Sequence, residues 1–506
     1  GQNDKISIYS YNRKEWNYIY LATQFINSAA VGIYHTSSSN EVEWVAGNSE
    51  SKIIFVGNNP NDNQENDKMP INRLLEALPK LNNVELVVTL PEVTSSGNSK
   101  IISWDKFIEN GKSIESSKVL VPLSKIKDEH TSSLIYTSGT TGNPKGVELV
   151  HKNWNFLMDA LLTPLTFFQG EKTISWLPGA HVFGQALDNH FWVRRAMHSF
   201  IVDNPLNTVD FAKEVQPHLF CSVPRIYEKI YSNFIAAIEN KAVLRFVINI
   251  QILSGIYNKN IKDAAAKRHM KFAISGAAPI NPDILALFQK LEIPLFEGYG
   301  MTENTAGATL NYLGHNRIGS VGKALPDTEI KIANDGEVMI QGDHVMKGYY
   351  KNPEATTETL VDRWLHTGDI GKLDSDGYLY ITGRKKEIYV SSAGKNIAPL
   401  VIEETMKSIP IVSQCFLVGD GRKYCSALFT LDVGAILRDK LYMNSNQIPK
   451  DPLQQIKILN ENGHELSDFT DSEEIKSELQ SEVNRLNEQF SNPEQLKKFV
   501  ILPRDL

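Results

Sequence analysis

Strand-like and helix-like runs alternate through the first 300 residues, and few architectures accept that order. "KIIFVG", "VELVVTL", "SLIYTSG", "TISWLP", "HLFCSVP", "MKFAISG" and "PLFEGYG" are short and apolar, with helical stretches between them. Such alternation predicts an α/β fold of parallel sheets covered by helices. From about 301 to 383 the character changes to short strands and tight turns. The Asp-Gly pairs in "IKIANDGEVMIQG" and "GKLDSDGYLYITG" predict hairpins, and so a β-rich layer closing the large domain. After "GRKKE" (383–387) come "QCFLVGD" and "YCSALFTL", then a helix in which Ile475, Leu479, Val483, Leu486 and Phe490 recur at three- and four-residue spacing. "TDSE" (470–473) fits a capping box at its start. At 506 residues the chain exceeds what one hydrophobic core serves, and the expected organisation is a large domain over 1–383 and a small α/β domain over 384–506.

Composition narrows the function classes. A net charge of -7, with basic clusters no longer than "GRKKE", gives no sustained basic stripe and excludes a nucleic-acid footprint. Three cysteines, Cys221, Cys415 and Cys425, lack metal-ligand spacing and cannot all pair, which predicts structural thiols in a reducing compartment. No run reaches the roughly twenty apolar residues of a membrane span. The most apolar stretch, "FLMDALLTPLTFF" (156–168), carries Asp159 and Pro164 and reads as a buried helix that stops. The expected location is therefore the cytoplasm or the cytosolic face of a membrane, with peripheral membrane contact left open. "NNPNDNQENDK" (58–68) reads as a polar loop, and the abrupt opening "GQNDKISIYSYNRKEW" as a start clipped upstream.

"YTSGTTGNPKG" (136–146) follows the strand candidate "SSLIY" and precedes a new element that starts in "GVELVHKNW", so the loop is pinned at both ends. A Walker loop requires a lysine after glycine and before a hydroxyl. Here Pro144 precedes Lys145 and Gly146 follows it, so this is a phosphate loop of another kind. Gly139, Gly142 and Gly146 let the backbone approach phosphate oxygens, Thr137, Ser138, Thr140 and Thr141 supply hydroxyls, and Lys145 offsets charge.

Four further stretches build on it. "EGYGMTEN" (297–304) sets a ring, a hydroxyl and a carboxylate together in Tyr299, Thr302 and Glu303, suited to a base, a phosphate and Mg²⁺. "HTGDIG" (366–371) puts Asp369 where a carboxylate can take both ribose hydroxyls, "ISGAAP" (274–279) is a bend on which adenine can lie, and "GRKKE" supplies Arg384. Taken singly, each also fits a structural role: a buried tyrosine, an Asx turn, tight packing, a surface charge.

Taken together, "YTSGTTGNPKG", "GYGMTE", "HTGDIG" and "GRKKE" closely resemble the signature of the adenylate-forming enzymes, the superfamily of acyl-CoA synthetases, peptide-synthetase adenylation domains and beetle luciferases. "YNRKEW", "GIYHTSSSNEVEWVAGNSESKIIFV" and "LPGAHVFG" extend the resemblance over nearly the whole chain, and "VPRIYEKIY" (223–231), "GYYKNPEAT" (348–356) and "AGKNIAPLVIEE" (393–404) look most like long-chain fatty acyl-CoA synthetases.

The resemblance implies ATP-dependent activation of a fatty acid to acyl-AMP and transfer to coenzyme A, with a nucleotide- and acyl-binding large domain and a mobile lid. It implies that Thr137, Ser138, Gly139, Thr140, Thr141, Gly142 and Lys145 hold the β- and γ-phosphates, and that Thr137 and Glu303 hold Mg²⁺. Thr302 and His181 would lie near the α-phosphate and the incoming carboxylate. Tyr299 and the bend Gly276, Ala277, Ala278 and Pro279 would clamp adenine, and Glu297, Gly298 and Gly300 would belong to the same nucleotide site. Asp369 and Arg384 would take the ribose, Lys386 would match the hinge, and Gly394 would line the pantetheine tunnel. His181 also admits a reading as a satisfied core histidine. The family's C-terminal catalytic lysine has no match in "FVILPRDL", which leads us to expect a tail continuing past Leu506. Two alternatives stay open: an acyl-AMP ligase serving a carrier protein, whose insertion near 384 is not seen, and a non-catalytic nucleotide- or lipid-binding relative.

Overall fold

The computed structural model describes residues 3–59, 69–94, 97–137, 142–239, 269–392, 395–444 and 447–503. The first sheet begins with β1 (Lys5–Ser10), β2 (Ala29–Ile33), β3 (Ser51–Gly57), β4 (Leu86–Thr89), β5 (Ile101–Ser103), β6 (Thr131–Thr137) and β7 (Lys145–Val150). β1 to β6 pair in parallel, and β7 turns back antiparallel on β6. Nearly every side chain of β1 and β2 is buried, as expected of parallel strands covered on both faces. The helix Lys14–Phe25 lies against β1 and β2 and buries Trp16, Ile19 and Tyr20.

The second sheet contains β8 (Lys172–Ser175), β9 (His198–Ile201), β10 (Leu219–Ser222), β11 (Phe272–Ser275) and β12 (Leu295–Tyr299), again parallel, then β13 (Thr309–Leu310) and β14 (Lys323–Ala324), antiparallel. Between the two sheets a core of Trp154, Leu157, Met158, Phe191, Phe272 and Phe296 packs around the helix His151–Leu162. That helix ends just before Pro164, as the sequence predicts, but buries one face only, leaving Asp159 in an exposed ion pair with Arg194.

A third, antiparallel sheet follows with β15 (Glu329–Ile332) and β16 (Glu337–Gln341), joined by the expected turn at Asp335 and Gly336. The chain then returns to the first sheet through β17 (Gly348–Tyr349), which pairs with β7 at its edge. β18 (Leu360–Val361), β19 (Trp364–Leu373) and β20 (Leu379–Arg384) complete the third sheet, β19 and β20 being the second expected hairpin.

Beyond residue 388 a hairpin of β21 (Tyr389–Val390) and β22 (Asn396–Ile397) leads to β23 (Val412–Val418), β24 (Cys425–Leu431) and β25 (Leu496–Ile501), which form a small mixed sheet. Its core, from Ile397 to Leu496, is separate from the others and contains Ile475, Leu479, Val483 and Leu486 of the helix Glu473–Asn487. The capping box at this helix is corrected. Ser472, not Thr470, is the cap: its hydroxyl accepts from Ile475 N, while Thr470 ends the preceding short helix and donates to Ser467 O. All three cysteines are buried free thiols, and burial holds each above its ordinary pKa. Among the described residues no helix is long and apolar enough to cross a membrane.

Candidate active site

Thr137 ends β6, Ser275 ends β11 and Tyr299 ends β12, so the carboxyl ends of parallel strands from both sheets converge. In open α/β sheets that is where ligands bind. A cavity of about 800 Å³ lies there. One part is polar, lined by Thr137, Lys145, Thr302, Glu303, Arg384 and Lys386, and another apolar, lined by Leu157, Leu161, Leu165, Val182, Ala186 and Leu187.

The phosphate-loop candidate is only partly in view. Ser138, Gly139, Thr140 and Thr141 lie outside the described residues, as does Gly394. Thr137 and Lys145 face each other across the β6–β7 ladder, and the Trp44 indole donates to Pro144 O at 2.8 Å, pinning the loop's far end. Lys145 Nζ stands 4.9 Å from the centre of the Tyr349 ring. Gly142 has φ of 96°, the left-handed region that glycine adopts without strain.

Gly276 and Ala277 line the cavity beside the Phe183 ring, whereas Ala278 and Pro279 are not among its lining residues. Gly298, Tyr299 and Gly300 line it too. At Gly300 a Cβ would lie 2.2 Å from Ala306 O, so only glycine lets the chain turn into the helical turn Thr302–Asn304. Glu297 is not a lining residue. Its carboxyl is buried, accepts from Ile280 N at 3.4 Å, and is pushed up to about 8 by burial.

Tyr299 and Asp369 meet: the phenol donates to Asp369 Oδ2 at 2.6 Å, and Arg384 Nε lies 3.2 Å from Oδ1. The β19–β20 register sets Asp369 opposite Arg384. Burial raises the Asp369 carboxyl, with Tyr299 and Arg384 opposing that shift. Glu303 is 7% exposed and is likewise raised by burial; Tyr349 Oη donates to its Oε1 at 2.8 Å. His181 Nδ1 accepts from Phe183 N at 3.1 Å, which leaves the proton of the neutral ring on Nε2. Burial lowers its pKa, so at neutral pH the ring is an uncharged donor on the cavity wall.

Two features escape a sequence reading. Tyr349 enters the site from an edge strand of only two residues. Lys385, on the cavity rim, pairs with Glu337 at 3.0 Å and Asp335 at 2.6 Å, and Glu337 also accepts from Gly368 N at 2.9 Å. Burial raises the Glu337 carboxyl, but Lys385, Gly368 N and His366 outweigh it and hold it below the usual range. The one sequence signal for this cluster was the turn at Asp335 and Gly336, which fixes where Glu337 starts its strand.

Two buried acids give a stability prediction. Burial pushes both Glu297 and Asp188 up to about 8, from ordinary values of 4.5 and 3.8. The fold therefore keeps protons that the unfolded chain releases, and stability falls as pH rises from roughly the ordinary carboxylate range to about pH 8. Glu297→Gln mimics the protonated acid, so it should gain stability over the parent by an amount on the order of a few kcal/mol at about pH 8, shrinking toward zero near pH 4. Urea unfolding at several pH values reads this, and a pH-independent difference would contradict it.

Comparison with known proteins identifies the fold and the family. The long-chain-fatty-acid–CoA ligase FadD15 of Mycobacterium bovis is 29% identical over 528 aligned residues, covering 99% of this chain and 83% of its own. The anthranilate CoA ligase AuaEII, solved with anthranoyl-AMP, superposes with a TM-score of 0.74 at 18% identity, over 99% of this chain and 84% of that one. The O-succinylbenzoate coenzyme A synthetase MenE of Bacillus subtilis, solved with ATP and magnesium, gives 0.66 at 19% identity, over 99% and 86%. These likenesses identify the fold as that of the adenylate-forming enzymes, with a large N-terminal and a smaller C-terminal domain. The family described as AMP-binding enzyme matches residues 1–350, more than half of the 506, and the chain belongs to that family.

Proposed function

We propose that the chain is an AMP-forming acid:CoA ligase and that its acid is a long-chain fatty acid. The observation that carries this reading is the joining of a polar and an apolar region in one cavity. A carboxylate is a poor acyl donor because its charge repels nucleophiles and oxide leaves badly. Attack of its oxygen on the α-phosphorus of ATP expels pyrophosphate and gives an acyl-adenylate. A thiol then attacks the acyl carbon and expels AMP. The first step brings two anions together, so it needs alignment and charge compensation more than proton transfer.

The residues fit those demands. Lys145 compensates the β- and γ-phosphates. His181 Nε2 and the Thr302 hydroxyl donate to the α-phosphate or the incoming carboxylate. Asp369, held between Tyr299 and Arg384, accepts from the ribose hydroxyls, and Tyr299 with the Gly276–Ala277 bend bounds the adenine. The donor set also suits magnesium: a buried carboxylate, Glu303, and a hydroxyl, Thr137, line the same cavity, and Mg²⁺ takes few protein ligands beside phosphate and water. When bound there it would offset triphosphate charge. Lys386, at the junction of large and small domains near residue 383, is the hinge of this reading, and rotation about it would admit coenzyme A for the second step.

The substrate reading rests on the apolar region and on the relatives' names. Each methylene buried among Leu157, Leu161 and Leu165 contributes about 0.8 kcal/mol, so the cavity rewards chain length. The test is fatty-acid-dependent exchange of labelled pyrophosphate into ATP without coenzyme A. Exchange with palmitate and not with acetate supports the reading; no exchange with any acid, despite ATP binding, would favour a non-catalytic relative. A second outcome follows for the ribose. Asp369→Ala should raise KM for ATP by about tenfold or more and leave KM for the acid nearly unchanged, since it removes a charged acceptor from the nucleotide alone. Equal changes in both would make Asp369 structural.

A further inference from the structure

The phosphate pocket is assembled from two separate sheets. Lys145 opens β7 of the first, and Glu303 follows β12 of the second. One short segment, residues 346–350, touches both. Met346 N donates to Glu303 O at 2.8 Å, and Tyr350 N donates to Gly146 O at 2.7 Å. Between them β17 pairs with β7, Gly348 opposite Glu148 and Tyr349 opposite Val147. Tyr349 is itself fixed from behind: its N–H donates to Thr356 Oγ1 at 2.9 Å, and a Cβ on Gly348 would come within 2.8 Å of the Thr356 methyl.

From this anchored strand Tyr349 reaches both halves at once. Its hydroxyl donates to Glu303 Oε1 at 2.8 Å, and its ring centre lies 4.9 Å from Lys145 Nζ. A buried carboxylate without that donor is free to turn away from the cavity. A lysine without the ring loses the face that steadies its ammonium. We propose that Tyr349 is the positioning residue joining the two halves of the phosphate pocket: its hydroxyl aims Glu303 and its ring seats Lys145. The hydroxyl occupies Oε1 and leaves Oε2 for a divalent cation carried by the nucleotide, so one side chain presents the anion-binding and the cation-binding groups together.

The inference rests on the ligase reading, and the test separates the two. Equilibrium ATP binding is measured without acid or coenzyme A, once with excess EDTA and once with Mg²⁺, in the parent, Tyr349→Phe and Tyr349→Leu; Mn²⁺ binding with ATP present is followed by electron paramagnetic resonance. Failure of the parent to bind ATP would remove the ligase reading itself. If the parent binds, Tyr349→Phe keeps the ring, so metal-free ATP affinity should stay within about twofold, while the gain conferred by Mg²⁺ and the Mn²⁺ affinity should fall about tenfold. Tyr349→Leu should show that loss and also weaken metal-free binding severalfold, because the ring face is gone. Parent-like values for Tyr349→Phe in both metal arms would overturn the hydroxyl's role. Parent-like metal-free binding in Tyr349→Leu would overturn the ring's. Equal losses in every arm for both variants, with lowered Tm, would reduce Tyr349 to a structural residue.

Discussion

Replacing Glu303 with glutamine should slow acyl-adenylate formation by about two orders of magnitude or more, the range seen when a group that stabilises developing charge is removed. Glutamine keeps the volume and still accepts from Tyr349, so the fold and the segment 346–350 should stay in place. What is lost is the negative charge of a side chain that is 7% exposed and lines the cavity. In so buried a position no bulk water substitutes for it. A single-turnover burst of pyrophosphate at saturating ATP and magnesium measures the step without product release. An unchanged burst rate would remove Glu303 from the chemistry, and a rate restored by magnesium well above the level that saturates the parent would limit its role to metal affinity.

The second large effect concerns the acid. Ala186 is buried, lines the cavity, and sits beside Leu187 on the helical segment that follows His181. Ala186→Phe places a ring in the apolar region without touching the polar groups. Selectivity should invert: kcat/KM for a sixteen-carbon acid should fall about a hundredfold, the equivalent of several methylenes denied burial at about 0.8 kcal/mol each, and that for a short acid should change severalfold at most. Thermal unfolding confirms that the variant is folded. A parallel fall for both acids would mean that the apolar region does not hold the chain of the substrate.

The legible part of the fold was the part written in short periods. Runs such as "KIIFVG" and "MKFAISG" became parallel strands because their side chains are buried on both faces, and the two Asp-Gly turns became hairpins because their geometry is local. Features set by distant pairing were not legible. β17 has two residues and no periodicity, and pairs with a strand about 200 positions earlier, so nothing local marked Tyr349 as part of the site. Lys385 met Glu337 through the register of the third sheet. The cap at 470–473 failed for a local reason: Thr470 and Ser472 both carry a capping hydroxyl, and burial of Thr470 with Phe469 in the preceding short helix handed the role to Ser472. Among the site candidates, Tyr299, Asp369 and Arg384 came together because the β19–β20 register sets Asp369 opposite Arg384 and brings its carboxylate to the Tyr299 hydroxyl, whereas Glu297, two residues before Tyr299, is buried with its carboxyl on Ile280 N, a contact that no local pattern marks.

In the proposed reaction one cavity activates a long acyl carboxylate with ATP and then passes it to coenzyme A. The direct measurement is pyrophosphate release by the full-length protein across straight-chain acids of graded length, with coenzyme A present or absent, alongside detection of acyl-AMP and acyl-CoA. Release should rise steeply with chain length, stop after one turnover with acyl-AMP bound when coenzyme A is absent, and continue as turnover to acyl-CoA when it is present. Release independent of chain length, or acyl-AMP that persists when coenzyme A is added, would contradict the proposed reaction.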